Sequence, residues 1–136
     1  MRKIELLAPA GDLTRARIAI KYGADAVYIG GKSFSLRSRA SNFDIADIKE
    51  AVIFAKQYQA KIFVTVNIIP HQEDLQGVDQ YLMQLEQIGV SAVICSSIEI
   101  IKIAKRVAPK LEVHLSTQQS VTNSQAIAFY KDLGVD

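Results

Sequence analysis

The chain has 136 residues, about one modest domain, and at 49% hydrophobic and 22% charged it has enough apolar material to bury a core. Its 16 basic and 14 acidic residues leave a formal charge of +2, too balanced for a chain-wide electrostatic nucleic-acid footprint, with a local basic patch still open. The single cysteine, Cys95, excludes an internal disulfide and any cysteine-only metal or iron–sulfur site built from this chain alone.

Met1-Arg2-Lys3 has the look of a signal-peptide n-region, but Glu5 and Pro9 interrupt the apolar run behind it. No apolar stretch approaches the roughly 20 residues of a spanning helix. The reading is a soluble, cytoplasmic protein.

Ile4–Ala8 is predicted as the first strand, rich in apolar residues and bounded by Pro9 and Gly11. Asp12 is placed to cap a helix that runs to Tyr22 and stops at Gly23, with Leu13, Ala16 and Ile20 as its apolar stripe. Ala26–Ile29 is the second strand. Asp44 caps a second helix with Ile45, Ile48, Val52 and Ala55 inward. Lys61–Ile69 is the third strand, and Glu73 or Asp74 opens the helix whose stripe is Leu75, Val78, Leu82, Leu85 and Ile88, ended by Gly89. Ala92–Cys95 is the fourth strand, followed by a helix capped by Ser97 and terminated by Pro109. Glu112–Ser116 is the fifth. Thr122 with Gln125 forms a capping-box pattern for the last helix, which Gly134 ends.

The near-continuous hydrophobicity of the strands argues for a parallel sheet covered on both faces. A weak internal repeat supports five strand–helix units: Tyr22 to Val27, Ile88 to Val93 and Leu133 to Asp136 share one grammar of helix, glycine, turn and strand. The third copy stops where its strand should start, so the chain reads as cut. Two architectures fit: an open doubly wound sheet, or the first part of a closed eightfold barrel. The turn after the first strand, Pro9-Ala10-Gly11-Asp12, has one glycine where a dinucleotide fingerprint needs three.

In either architecture chemistry collects at the C-terminal ends of the strands. Alternation places Glu5, Tyr28, Thr65 with Asn67, and His114 with Ser116 toward one compartment, either a polar layer or the floor of a ligand pocket. The stretch 34–43 is basic and carries two aromatics; Arg37 and Arg39 there are suited to clamp a carboxylate or phosphate. Gly30-Gly31-Lys32-Ser33 resembles the end of a phosphate-binding loop, but Ala26 stands where that motif needs a glycine. His71 and His114 fall near the same rim. His114 and Ser116 are i and i+2 strand neighbours, a poor arrangement for a nucleophile–base pair, and no acidic orienter completes a triad. Cys95 stands before a helix N-terminus, which can lower a thiol pKa, or is a small packing residue.

These same segments resemble a known family. Glu5 to Asp12, Tyr22 to Gly31, Ser35 to Phe43, Val64 to His71 and His114 to Gln118 are similar, in order, to the strand-end motifs of the U-thirty-two peptidases, the collagenase-like proteases. The resemblance implies an α/β fold of parallel (βα) repeats, here the first five units of a truncated TIM-barrel-like domain, 1–136, with the rest of the barrel and a cysteine-bearing region absent. It implies no cofactor in this fragment and an iron–sulfur cluster held downstream in the full-length protein. Members hydroxylate a wobble uridine of tRNA or a cytidine of ribosomal RNA using prephenate, or act in oxygen-independent ubiquinone synthesis; others carry the peptidase name. The Leu36-Arg37-Ser38-Arg39 and His114-Leu115-Ser116-Thr117-Gln118 segments are most similar to the tRNA-hydroxylation branch.

The expectation is a fragment of a tRNA-hydroxylating protein, itself inactive. Arg37 and Arg39 would bind an anion such as prephenate or an RNA phosphate. Asn67, His71, His114, Ser116 and Gln118 would line the pocket, with Glu5 and Tyr28 as its floor. The alternatives are a collagenase-like peptidase and a non-catalytic scaffold subunit of a hydroxylation complex. The fragment is also expected to self-associate through exposed sheet edges.

Overall fold

The computed structural model describes residues 4–36 and 43–136. Five parallel strands alternate with five helices: β1 (Leu7–Ala10), α1 (Leu13–Lys21), β2 (Ala26–Gly30), α2 (Ile45–Gln57), β3 (Lys61–Val66), α3 (Val78–Ile88), β4 (Ala92–Cys95), α4 (Ile98–Val107), β5 (Glu112–Leu115) and α5 (Ser124–Asp132). Arg37 and Arg39 lie outside the described residues.

The sheet order is β1-β2-β3-β4-β5, every neighbour parallel. The main apolar cluster joins the inward residues of α1 to α4 to one parity of the strands: Ala10, Val27, Ile29, Ile62, Val64, Val66, Val93, Cys95 and Val113. The helices therefore form one row on one face, α1 beside α2, α2 beside α3 and α3 beside α4. Order without reversal, with all helices on one side, is the singly wound arrangement of a (β/α) barrel and not the doubly wound sheet. Cover on both faces does not occur among the described residues. The opposite parity carries a separate small cluster, Ala26, Phe63 and Ala92, with Tyr28 and Ile94 against it.

Capping residues set most helix starts. Asp12 accepts from the Arg15 N–H at 2.7 Å, Asp44 forms a reciprocal capping box with Asp47, and Ser97 accepts from the Ile100 N–H. The last helix is capped one residue later than expected, by Asn123, whose Oδ1 accepts from the Ala126 N–H at 2.9 Å. The third helix is broken: Gln72–Leu75 forms a short 3-10 turn, and α3 starts only after Gly77. Gly77 sits at φ +82°, a left-handed conformation that glycine adopts without a Cβ clash and that a continuous helix cannot contain.

The first strand begins at Leu7, not Ile4, and runs through Pro9 to Ala10. Ile4 is 91% exposed, because pairing with β2 begins only at Leu7 opposite Ala26. The third strand ends at Val66 rather than Ile69; there the chain turns away and the Ile68 N–H donates to the Phe34 carbonyl instead of to a ladder.

The sequence repeat has a chemical basis. Asp25 follows the Gly23 turn, and its carboxylate accepts the Leu6 N–H at 2.9 Å. Asp136 follows the Gly134 turn, and its carboxylate accepts the Val113 N–H at 2.9 Å, while its own N–H donates to the Val113 carbonyl. In these two of the three copies the aspartate ties the incoming segment to the chain at the preceding strand.

Candidate functional site

The inner parity of the strands forms two rows in register. One runs Pro9, Tyr28, Phe63, Ala92, Glu112; the next, nearer the C-terminal ends, runs Gly30, Thr65, Ile94, His114. Small residues, Gly30 and Ala92, leave room beside the large ones. A concavity of about 390 Å³ opens above these rows, lined by Leu7, Tyr28, Thr65, Asn67, Ile94, His114, Leu115, Ser116 and Thr117. It is within the size range of small-ligand sites, roughly 300–1,000 Å³. A larger concavity, about 640 Å³, lies on the β5–α5 edge and is chiefly apolar, with Leu115, Val121, Ile127, Tyr130 and Val135 in its wall. Ser116, Thr117, Ser120, Lys131 and Asp136 also line it, and the inner-face strand residues open onto the smaller one.

Tyr28, Asn67, His114 and Ser116 thus come together. Glu5 does not line the concavity: it pairs with Lys61 at 3.0 Å on the side of the N-terminal strand ends. The hydrogen bond it donates to Glu5, and then the charge of Glu5, hold the Lys61 ammonium above its ordinary pKa, with Glu112 adding to the effect. Gln118 is exposed and receives the Ser116 hydroxyl at 2.9 Å. His71 is exposed; its N–H donates to Asp74 at 2.8 Å, and it takes no part in the concavity.

His114 is held from two sides. Its Nε2 lies 3.2 Å from a Glu112 carboxylate oxygen, and its ring meets Phe63 edge to face at 4.8 Å. Ser116 and His114 do not bond each other among the described residues. Ser116 Oγ is directed to Gln118, and its N–H donates to the Cys95 carbonyl at 2.8 Å.

The rim is stitched together by a chain of polar contacts. Ser35 Oγ and Thr65 Oγ1 are 2.9 Å apart. Asn67 Oδ1 accepts the Leu36 N–H at 3.1 Å, and the Asn67 carbonyl accepts Ser96 Oγ at 3.0 Å. The Ser96 carbonyl accepts Gln119 Nε2 at 2.6 Å, and Gln119 Oε1 accepts the Tyr130 hydroxyl at 2.9 Å. The loops after β2, β3, β4 and β5 are so tied to one another and to α5. Gln119, Tyr130, Lys61 and Glu112 escaped the reading of the sequence as site-forming residues. Strand parity marks the last two, since Lys61 shares a face with Phe63 and Glu112 with His114; nothing local marks Gln119 or Tyr130.

Behind the rim, Gly31 fits against Tyr81. A Cβ on Gly31 would stand 2.3 Å from the Tyr81 hydroxyl, which is buried without a hydrogen-bond partner among the described residues.

Cys95 is fully buried against the helices, and burial pushes its thiol up to about 12. A sealed thiol of that kind does not suit a thiolate ligand, and no group of three or more His, Cys, Asp or Glu among the described residues could hold a metal ion. The described residues do not fit an iron–sulfur cluster. No described helix is long and apolar enough to cross a membrane.

Comparison with known proteins agrees with this architecture. A solved U32 peptidase superposes on the whole chain with a TM-score of 0.79 at 12% identity, the chain covering 57% of it. Phosphonopyruvate hydrolase matches 98% of the chain with a TM-score of 0.63 at 13% identity, the chain covering 56% of it. At those identities the likeness is one of fold. A tRNA hydroxylation protein of Bacillus subtilis is 52% identical over 135 residues, 99% of this chain and 32% of the relative. A 23S rRNA 5-hydroxycytidine synthase of Escherichia coli is 43% identical over 132 residues, 97% of this chain and 20% of the relative. A collagenase of Porphyromonas gingivalis is 32% identical over 127 residues, 93% of this chain and 30% of the relative. The chain spans about a third or less of these relatives. The family model of Peptidase family U32 matches residues 11–136, and the chain belongs to that family.

Proposed function

We propose that these 136 residues are the first five units of a barrel-like domain in a longer cytoplasmic protein that hydroxylates a base of tRNA, the wobble uridine, in a prephenate-dependent reaction. The observation that carries this reading is the 52% identity to a tRNA hydroxylation protein across nearly the whole chain, strand-end segments included. The geometry is in keeping with it: Ser116 bonds Gln118 and His114 bonds Glu112, so these two do not form a nucleophile–base pair with each other. An iron–sulfur cluster, where the whole protein has one, is held by residues outside this chain. Arg37 and Arg39 supply an anion contact, for prephenate or an RNA phosphate.

Complementation tests the reading. The full-length protein is expressed in a Bacillus subtilis strain lacking its tRNA hydroxylation proteins, and tRNA nucleosides are measured by mass spectrometry. Return of the hydroxylated uridine is expected. Unchanged tRNA with the protein abundantly expressed would sink the proposal.

Residues 1–136 alone are further proposed to self-associate, chiefly through β1. Among the described residues no strand pairs with the outer side of β1, and Leu6 and Leu7 are about half exposed, whereas Asp136 already engages both polar groups of Val113 on β5. Light scattering on 1–136 and on the full-length protein at matched concentration checks this; a monomeric 1–136 would refute it.

A further inference from the structure

We infer that Thr65 and Asn67 are positioning residues: they act on the anionic ligand through the loop that carries Arg37 and Arg39, which they hold from the neighbouring strand. This rests on the proposed anion contact at the two arginines and goes beyond it by naming what fixes that contact in place. The loop is closed at its base. After β2 the chain leaves the sheet at Gly31 and returns to it at Phe43, where the two residues form a parallel bridge. The Lys32 N–H donates to the Phe43 carbonyl at 2.9 Å, and Phe43 itself is buried.

The outgoing limb is then fixed residue by residue to β3 and the segment that follows it. The Phe34 carbonyl accepts the Ile68 N–H at 3.3 Å. Ser35 Oγ lies 2.9 Å from Thr65 Oγ1, and both residues are buried. The Leu36 N–H donates to Asn67 Oδ1 at 3.1 Å. Phe34 has φ +59°, a left-handed conformation that a bulky residue holds only where its surroundings enforce it, and its ring packs 5.3 Å from that of Tyr81. The Leu36 side chain is more than half exposed, so polar contacts and not packing hold the limb at its end. That last pinned residue is the chain neighbour of Arg37.

The chemistry of the clamp suits an anion site. A guanidinium pairs with a carboxylate or phosphate through a rigid planar fork, so its contribution depends on where its backbone starts. Ordering that backbone beforehand removes part of the cost of binding. An amide oxygen and two hydroxyls do this without charge, whereas an aspartate in place of Asn67 would set a carboxylate beside a loop meant to receive one.

A double-mutant cycle on the full-length protein tests the inference, with affinities for prephenate and for an anticodon stem–loop RNA measured by calorimetry. The Arg37→Ala/Arg39→Ala variant identifies the anion by the ligand it loses. Asn67→Ala should weaken binding of that same ligand about tenfold, and less than twofold further in the arginine-free background. Thr65→Val should act in the same direction and Thr65→Ser should restore the affinity, a pair that decides the matter should Asn67→Ala fail to fold. Hydrogen exchange at the Leu36 amide should quicken in Asn67→Ala while β3 and β4 keep their protection. Wild-type affinity in both Asn67→Ala and Thr65→Val overturns the inference, since the loop then needs no clamp. A loss for Asn67→Ala that adds in full to that of the arginines overturns it too, since Asn67 then touches the ligand itself. In either case the arginine contact stands. If the arginine variant binds both ligands as the wild type does, the anion contact falls and the inference with it.

Discussion

The same five strands serve two faces of the sheet in different ways. Toward the helices they present Val27, Ile29, Val64, Val66, Val93 and Val113, each exposed by 1% or less. Toward the interior they present Tyr28, Phe63, Thr65, Ile94 and His114, a mixed surface of aromatic, hydroxyl and imidazole groups over a concavity. Branched aliphatics interlock with helices and leave no room; mixed polar and aromatic side chains leave space and unsatisfied hydrogen-bonding capacity. One face holds the fold together, and the other is available for binding.

Four tests, using six substitutions, can break or sharpen that contrast. The largest effect belongs to the helix-covered side. Leu85→Ala, at a fully buried position of α3, should cost about 2–5 kcal/mol by removing buried carbons and leaving a cavity. Ile94→Ala on the half-buried inner face should cost less than half as much. Urea unfolding of the two variants compares them, and equal losses would mean that the two faces contribute alike.

Next comes the contact behind the rim. Gly31→Ala should cost about 1–3 kcal/mol, because the new methyl group collides with the Tyr81 hydroxyl. Tyr81→Phe should be neutral or stabilising, since it removes a buried hydroxyl without a partner. Combined with Gly31→Ala it should recover most of the loss. A double-mutant cycle showing simple additivity would contradict the collision.

The Glu5–Lys61 pair on the inner face should matter less. Both side chains are well exposed, so Lys61→Met should change stability by less than about 1 kcal/mol, with the difference shrinking in high salt. The Lys61 pKa is raised, so its contribution is fully present below the unfolded value and is lost only as pH rises through the folded one. Unfolding midpoints measured from neutral to strongly alkaline pH check that sign.

The smallest effect is expected at Asp136. Burial raises its pKa, but the Lys105 ammonium and the Val113 N–H outweigh burial and leave it lowered. Its contribution is therefore present above the ordinary carboxylate value and is lost as pH falls through the folded one. Asp136→Asn should flatten the acid side of the stability profile by a few tenths of a kcal/mol, on the scale of exposed pairs. An unchanged acid limb would show that the Lys105 contact, 2.6 Å long, contributes nothing.

Much of the candidate site was legible because strand alternation has a strict period of 2. Tyr28, Thr65, Asn67, His114 and Ser116 follow from parity alone and do line one concavity. Glu5 has the same parity but lies at the opposite end of the strands, where Lys61 takes it up. Parity gives a face and not a height along the barrel axis. His71 follows β3 in sequence, yet the chain turns off at Val66 and carries it onto an exposed 3-10 turn.

By itself the sequence determined what is local. Asp12, Asp44 and Ser97 stand where helices begin, Gly23, Gly89 and Gly134 where they end, and the Val- and Ile-rich runs between are strands. Those signals act within a few residues of one another through backbone hydrogen bonds and allowed dihedral angles. Only the tertiary structure decided between an open sheet and a barrel segment, because both use the same strand–helix units and differ in which strands lie side by side and which face the helices cover. It also moved β1 to Leu7–Ala10, since the strand's start depends on where β2 offers a partner. And it brought Gln119 and Tyr130 into the rim, where Gln119 donates to the Ser96 carbonyl, 23 residues away, and accepts the Tyr130 hydroxyl. Contacts over that separation are set by how whole elements pack, and no local pattern encodes them.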